Sequence, residues 1–299
     1  MAAAAPSRPN TPLRPLRTSY AVGARLVRAV PPAVRYPVAA FGGTMWWATD
    51  RGRRHNAWTN YGAALGLPED HPRVREVARR AFANYGRMLA DFLLIGGLTP
   101  AEVRAMVTIT GREHVENALA RGRGAILALP HMGSWDMAGS IAGIWGYRIA
   151  AVAESFPGSL NDAVVETRSL HGLEVIPRNR SAVRTINAVL DEKGMVALVC
   201  DLPRGPGVEV RLLGRRATVP SGPAAIACRR GAPILPIYTR RSGSGSYHLH
   251  VDPPIEPPEA RRCRERGAVA EVMQQVMDRF DVFIRAYPDQ WYAFRRILT

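Results

Sequence analysis

Two ionisable side chains stand five residues apart in the segment AILALPHMGSWDMAGS, residues 125–140. The apolar run in this segment ends at Pro130, and His131 and Asp136 follow it. A carboxylate that keeps one imidazole nitrogen protonated leaves the other nitrogen free to take a proton from a hydroxyl. The spacing therefore suggests a general base with an orienting acid and no protein nucleophile. On spacing alone the pattern is weak, and an ordinary loop histidine beside a first-turn acid stays open as the alternative.

The elements that would position these residues alternate along the chain. From about residue 107 onward, short apolar strands alternate with helices, which indicates βαβ units. The strands AILAL and MVALV are apolar throughout, as expected for strands covered on both faces. We therefore predict an α/β fold with a mostly parallel central sheet flanked by helices. Ligands of such sheets bind beyond the carboxyl ends of the strands, where His131 lies.

This pattern divides the 299-residue chain into three parts. Residues 1–17, rich in Ala, Pro and Arg, are predicted to form a disordered tail. Residues 18–106 are predicted to form an N-terminal helical segment close to a membrane, and residues 107–299 to form the α/β core. No shift in composition separates the last two parts, so we expect residues 18–299 to fold as one unit.

The helical segment has features of a membrane-associating element. Its helices are predicted to break near residues 31–34 and near the glycine pair at 42–43. The apolar stretch 36–48 contains two neighbouring tryptophans and is followed by the basic run RGRR at 51–54. Aromatic side chains beside arginines are typical of membrane interfaces, although a buried core helix under a basic edge fits equally well. No apolar run reaches the roughly 18–20 residues that cross a bilayer.

Charge and metal-ligand patterns limit the function classes. Lys and Arg number 40 against 25 Asp and Glu, a net charge of +15, which attracts nucleic acid, anionic lipid or phosphate-bearing substrates without choosing among them. The three cysteines form no CxxC pair, which favours a reducing compartment and argues against a zinc site. His248 and His250 alternate in a strand with no third ligand nearby, so we predict no metal.

Four blocks of the sequence, in order, resemble the lysophospholipid acyltransferase-like glycolipid acyltransferases. This family includes the lipid A late acyltransferases and the phosphatidylinositol mannoside acyltransferases. The matching blocks are PHMGSWD, ETRSLHGLEVIPR, the stretch from VALVCD to PILPIY, and YPDQWYAFRRI. The resemblance covers about residues 50–297.

The resemblance implies roles for particular residues. His131 would be the general base and Asp136 its partner. Asp201 would be the third active-site acid, bonding the acceptor sugar or supporting the histidine. The loop after it is one residue shorter than in the mannoside branch, so Glu209 is the alternative for that role. Arg168 would hold a phosphate or order the active-site loop.

Other residues near the same edge are substrate-binding candidates. Glu154 ends a strand, and Arg204 follows Asp201 in its loop. Ser134, next to a glycine, would let a substrate approach closely. Ser221 and Gly222 begin a helix and would supply backbone N–H groups to an acyl carbonyl or a phosphate, although a simple turn with a helix cap explains them equally well.

The implied activity is O-acyl transfer from a thioester to a glycolipid hydroxyl. The donor would be acyl-CoA or acyl-carrier protein as co-substrate, with no cofactor. The acceptor would be a phosphatidylinositol mannoside, with lipid A-type or other lysophospholipid acceptors as alternatives. We expect a peripheral protein at the anionic cytoplasmic face of the plasma membrane, with no nucleic-acid partner. The contrasting hypothesis is a basic, non-enzymatic protein that binds nucleic acid or membranes.

Overall fold

The fold is described from a computed structural model, which covers residues 15–298 except 180 and 206, with side chains from residue 18 onward. The predicted tail up to residue 14 lies outside this range, and the first helix already begins at Pro15. Within the described residues the α-helices are α1 (Pro15–Ala29), α2 (Pro32–Thr49), α3 (Arg51–Leu65), α4 (Pro72–Ile95), α5 (Pro100–Met106), α6 (Arg112–Ala120), α7 (Trp135–Ile144), α8 (Ser159–Ser169), α9 (Ala182–Asp191), α10 (Gly222–Arg230) and α11 (Ala268–Ala286).

The strands form one large sheet and a separate hairpin. The strands are β1 (Val107–Thr110), β2 (Ala125–Leu129), β3 (Ile149–Ala153), β4 (Leu173–Pro177), β5 (Met195–Val199), β6 (Gly207–Leu212), β7 (Arg215–Pro220), β8 (Ile234–Gly243) and β9 (Ser246–Val251). The seven-stranded sheet has the order β1-β9-β8-β2-β5-β3-β4, and β6 pairs with β7. Among the strands of the described residues, β8 and β9 alone pair antiparallel within the large sheet, so the predicted mostly parallel α/β fold is confirmed.

The two faces of the sheet bury two separate apolar cores. Ile126 and Ala128 of β2 point into the core that contains α9, α10, α11 and the β6–β7 hairpin. Leu127 and Leu129 of the same strand point into the core beneath α5, α6 and α7. Because successive side chains of a strand alternate in direction, a strand that is apolar at every position serves both cores.

Of the two predicted breaks in the N-terminal helical segment, one is confirmed and the other lies at a different residue. The break near residues 31–34 is confirmed, because α1 ends at Ala29 and α2 begins at Pro32. The second break falls at Asp50, whose carboxylate caps α3 by accepting from the Arg53 backbone N–H at 2.9 Å. None of the helices in the described ranges is long and apolar enough to cross a membrane.

The predicted break at the glycine pair 42–43 is wrong, because α2 continues through it. A β carbon on Gly43 would stand 2.1 Å from the Phe82 carbonyl oxygen of α4. A β carbon on Gly86 of α4 would stand equally close, at 2.1 Å, to the Ala39 carbonyl oxygen of α2. These glycines therefore serve the close packing of two helices, and the packing outweighs their low helix propensity.

Candidate active site

The ends of two neighbouring strands bring a histidine and a carboxylate together. β2 and β5 pair in parallel with Leu129 opposite Val199, and His131 and Asp201 each follow two residues later. The His131 Nδ1 lies 2.6 Å from the Asp201 Oδ1, and the His131 backbone N–H donates to Oδ2 at 3.0 Å. The strand register thus places both groups at the edge where parallel sheets bind ligands.

Asp201 is fully buried and accepts a third hydrogen bond from a tryptophan. The Trp291 indole Nε1–H donates to Asp201 Oδ2 at 2.7 Å, and Trp291 is itself fully buried. An ionised carboxylate only accepts hydrogen bonds, so the Nδ1 of a neutral His131 carries the proton. The Nε2 of His131 is then the basic nitrogen, and the ring keeps 21% of its surface exposed.

Asp136 does not contact the imidazole and pairs with an arginine instead. Its Oδ1 accepts from the Arg168 Nε at 2.7 Å, and the two side chains are only 6% and 14% exposed. Asp136 stands in the first turn of α7, from which its carboxylate reaches Arg168 of α8. The structure therefore corrects the expectation that Asp136 orients His131, because Asp201 does so. A catalytic role for Asp136 stays a prediction.

Two of the candidate substrate-binding residues do not line the cavity beside His131. Ser134 is fully buried and caps α7, its hydroxyl accepting from the Met137 N–H at 3.4 Å. Its neighbour Gly133, at φ +59°, lets the loop approach β8, because a β carbon there would stand 2.0 Å from the Thr239 carbonyl oxygen. Glu209 is exposed on β6 and does not line the cavity. The geometry therefore favours Asp201 over Glu209 as the third acid.

The remaining candidates line one cavity of about 640 Å³ together with His131. Glu154 contacts Arg204 and lies 3.4 Å from the Arg178 Nη1, so these two candidate residues lie together at this edge. Burial lowers the pKa of Arg204, and the charge of a neighbouring arginine adds to this effect. Ser221 and Gly222 line the cavity at the start of α10. Six arginines line the cavity against two carboxylates, so its polar part is predominantly cationic.

The rest of the cavity is apolar and follows the sheet beneath α7. Its walls are side chains of six strands and of α7 that share the same face of the sheet: Ile109, Leu127, Leu129, Ala138, Ala142, Ile149, Ala151, Ala197, Val199, Ile237, Leu249 and Val251. Trp145, Tyr147 and Arg112 also line this part, and the Arg112 guanidinium stacks on the Trp145 ring at 4.7 Å. This shape suits a long apolar group whose reactive end lies beside His131.

The C-terminal segment, which sequence reasoning left without a chemical role, holds the histidine loop in place. The Tyr292 N–H donates to the His131 carbonyl oxygen at 2.7 Å, and the Gly133 N–H donates to the Gln290 carbonyl oxygen at 3.0 Å. Together with the indole of Trp291, these contacts fix the loop and its carboxylate. Burial raises the pKa of Tyr292, so its hydroxyl stays protonated. The block DQWYAFRR was the only sequence signal for this segment.

His248 and His250, the histidines considered for a metal, have other contacts. Each lies within hydrogen-bond distance of the Thr110 hydroxyl, at 3.1 Å and 2.7 Å, and His250 also lies 3.0 Å from the Asp252 carboxylate. These two rings belong to the β1–β9 edge of the sheet and not to the cavity beside His131.

The fold and the site together define a class of protein. A histidine base oriented by a buried acid, placed at the carboxyl edge of an α/β sheet beside a long apolar cavity, is suited to acylating a hydroxyl. Residues 11–299 match the family model described as bacterial lipid A biosynthesis acyltransferase. The chain belongs to this family and is an acyltransferase.

Individual relatives agree with the family match. The chain is 31% identical to a phosphatidylinositol mannoside acyltransferase of Mycolicibacterium smegmatis, across 92% of this chain and 89% of the relative. It is 32% identical to a phosphatidylinositol mannoside acyltransferase of Mycobacterium tuberculosis, across 93% of this chain and 86% of the relative. Both similarities extend over the helical segment as well as the sheet.

Proposed function

We propose that this protein transfers a long-chain acyl group from a thioester to a hydroxyl of a phosphatidylinositol mannoside. The observation that carries the proposal is the His131–Asp201 pair at the junction of the cationic and apolar parts of one cavity. The names of the mycobacterial relatives favour this acceptor. The family description favours a lipid A-type acceptor as the second candidate.

In the proposed reaction His131 acts as a general base. Its Nε2 takes the proton of the acceptor hydroxyl as the oxygen attacks the thioester carbonyl. The tetrahedral intermediate collapses with cleavage of the carbon–sulfur bond, and the imidazolium returns its proton to the departing thiolate. Asp201 stabilises the imidazolium through its bond to Nδ1. No acyl-enzyme forms, so donor and acceptor must be bound together.

Other cavity residues would bind the substrates. The N–H groups at the start of a helix lack partners within that helix, so those near Ser221 and Gly222 would stabilise the charge on the thioester oxygen. Arg168 and Arg204 would hold phosphates of the acceptor or the donor. The donor would be acyl-CoA or acyl-carrier protein, each of which carries phosphopantetheine beside its thioester, and neither of which is a resident cofactor.

The N-terminal helices would bring this site to a membrane surface. Four large apolar side chains of α2 are exposed at helical spacing, Val34, Val38, Phe41 and Met45, with exposed fractions from 44% to 65%. A stripe of this kind on a basic protein is typical of a helix lying in the lipid interface. We place the enzyme at the cytoplasmic face of the plasma membrane, where thioester donors are made.

An acceptor panel tests the proposal. Purified protein is incubated with labelled palmitoyl-CoA and with micelles of a phosphatidylinositol mannoside, a lipid A precursor or lysophosphatidylinositol. Mass spectrometry is expected to show one added acyl chain on the mannoside. Acylation of the lipid A precursor instead would move the assignment to the second candidate, and no acylation of any glycolipid would contradict both.

A further inference from the structure

A second cavity, of about 320 Å³, lies where α2, α3 and α4 meet. The tryptophan pair at 46–47 and the arginine pair at 53–54 each contribute one residue to each cavity. Trp46 and Arg53 line the catalytic cavity, whereas Trp47 and Arg54 line the second. We call the second cavity the tryptophan–arginine pocket. Its lining consists of Trp47, Arg54, Trp58, Arg75, Glu76 and Arg79.

The pocket gathers cations that have no carboxylate partner. Among the described residues, Arg54, Arg75 and Arg79 form no ion pair, and Glu76 lies 3.6 Å from the Nη1 of Arg80, outside the pocket. Most arginines of the catalytic cavity, by contrast, contact a carboxylate. Three guanidinium groups around a small cavity outnumber the single carboxylate of Glu76, and the net positive charge attracts an anion.

The aromatic walls hold these cations and contain two donors without an acceptor. The Arg54 guanidinium stacks on the Trp47 ring at 5.3 Å, and Arg75 stacks on the Trp58 ring at 5.2 Å. The indole Nε1–H groups of Trp47 and Trp58 are buried and have no acceptor within the part of the chain that the structure describes. Because these nitrogen atoms are buried, the two rings serve the pocket as aromatic walls that position the guanidinium groups.

We propose that the tryptophan–arginine pocket binds the phosphate of an anionic phospholipid headgroup. Arginine matches phosphate with paired N–H donors, and indole rings favour the headgroup level of a membrane. The lipid, and not a soluble phosphate, is the proposed source because the pocket lies at the carboxyl end of α2. The same helix exposes the apolar stripe from Val34 to Met45, which would lie in the acyl layer.

Vesicle co-sedimentation tests the proposal with the full chain. The variant Arg75→Gln/Arg79→Gln removes two exposed cations of the pocket, and neither position lines the catalytic cavity. Each arginine near an anionic membrane contributes about 1 kcal/mol, so affinity for phosphatidylcholine–phosphatidylinositol vesicles should fall about thirtyfold. The matched control Arg264→Gln/Arg266→Gln changes the net charge equally at exposed positions outside both cavities and should leave affinity close to wild type. An equal loss of vesicle affinity in the two variants, or no loss in either, would overturn the proposal that this pocket binds the headgroup.

Two further measurements separate the alternatives. Calorimetric titration with inorganic phosphate tests the soluble source: binding to wild type but not to Arg75→Gln/Arg79→Gln, with unchanged vesicle affinity in all variants, would overturn a lipid ligand. Acyl transfer in detergent micelles should stay at the wild-type rate in the pocket variant. A failure of the headgroup proposal is therefore distinguishable from a failure of the catalytic proposal.

Discussion

Replacing Asp201 by asparagine should change the tautomer of His131 while the imidazole ring stays in place. The Oδ2 position of Asp201 receives two N–H donors, from the His131 backbone at 3.0 Å and from the Trp291 indole at 2.7 Å. The amide oxygen of an asparagine must take that position, because an NH₂ group there would face two donors. The NH₂ group then occupies the Oδ1 position and donates to the imidazole Nδ1. The ring proton moves to Nε2, the nitrogen that must accept the substrate proton.

The expected cost falls on catalysis and much less on stability. In Asp201→Asn two of the three hydrogen bonds keep their direction and the third is reversed and loses its charged acceptor, so the free energy of unfolding should fall by only about 1–2 kcal/mol. The comparable change of a histidine-orienting aspartate in a serine protease lowers kcat about 10⁴-fold, which is about 5 kcal/mol of barrier. We expect a loss of this order here, with KM for the thioester little changed, because the carboxylate does not contact the acyl chain.

Thiol release from palmitoyl-CoA in the presence of acceptor micelles measures kcat and KM, and urea denaturation measures stability. The variant Glu209→Gln is the matched control, because it also neutralises one acid near in sequence but lies outside the cavity. Its rate should equal that of wild type. An Asp201→Asn enzyme that keeps more than about a tenth of the wild-type kcat would refute the tautomer argument.

Three further predictions concern the surroundings of the site. Trp291→Phe removes one donor from the Asp201 carboxylate and should lower the free energy of unfolding, measured with urea, by at least about 1.5–3 kcal/mol; an unchanged value would show that the bond contributes nothing. Arg168→Gln leaves the buried Asp136 unpaired and should cost about 3–5 kcal/mol, most of which a second change, Asp136→Asn, restores; a double variant no more stable than the single one would contradict the pairing. Ala142→Phe narrows the apolar part of the cavity, and each methylene that is excluded from it costs about 0.8 kcal/mol. In a competition assay the ratio of palmitoyl to octanoyl transfer should therefore shift toward octanoyl. An unchanged ratio would show that the acyl chain does not occupy this part of the cavity.

The elements of the fold were largely predictable from local patterns. The capping-box pattern of Thr99 and Glu102 and the amphipathic spacing of residues 72–95 are both legible in the sequence, and the structure has a helix at each place. Both signals depend on residues within one or two turns, which the sequence displays directly. The glycine pair at 42–43 was misleading because Gly43 serves the contact with α4, a tertiary feature that no local pattern contains.

The sequence indicated which residues belong to the site better than it indicated which of them pair with each other. His131 and Asp136 are close in sequence, so the spacing suggested that they touch. The structure pairs His131 with Asp201 because β5 lies beside β2, a neighbour relation that strand order decides and that sequence separation does not reveal. Trp291 is equally remote from His131 along the chain. Its buried bond to Asp201 depends on how the C-terminal segment crosses the strand ends.

The central claim is that the His131 Nε2 deprotonates the acceptor hydroxyl for direct attack on the thioester. The most direct measurement is the initial rate of acyl transfer to the glycolipid acceptor by His131→Gln, with intact-protein mass spectrometry during turnover of the wild-type enzyme. General-base catalysis contributes about 10²–10⁴-fold, so the account predicts a rate loss of that size and no acylated protein. A His131→Gln enzyme within tenfold of wild type, or a protein species heavier by one acyl chain that converts to product, would contradict it.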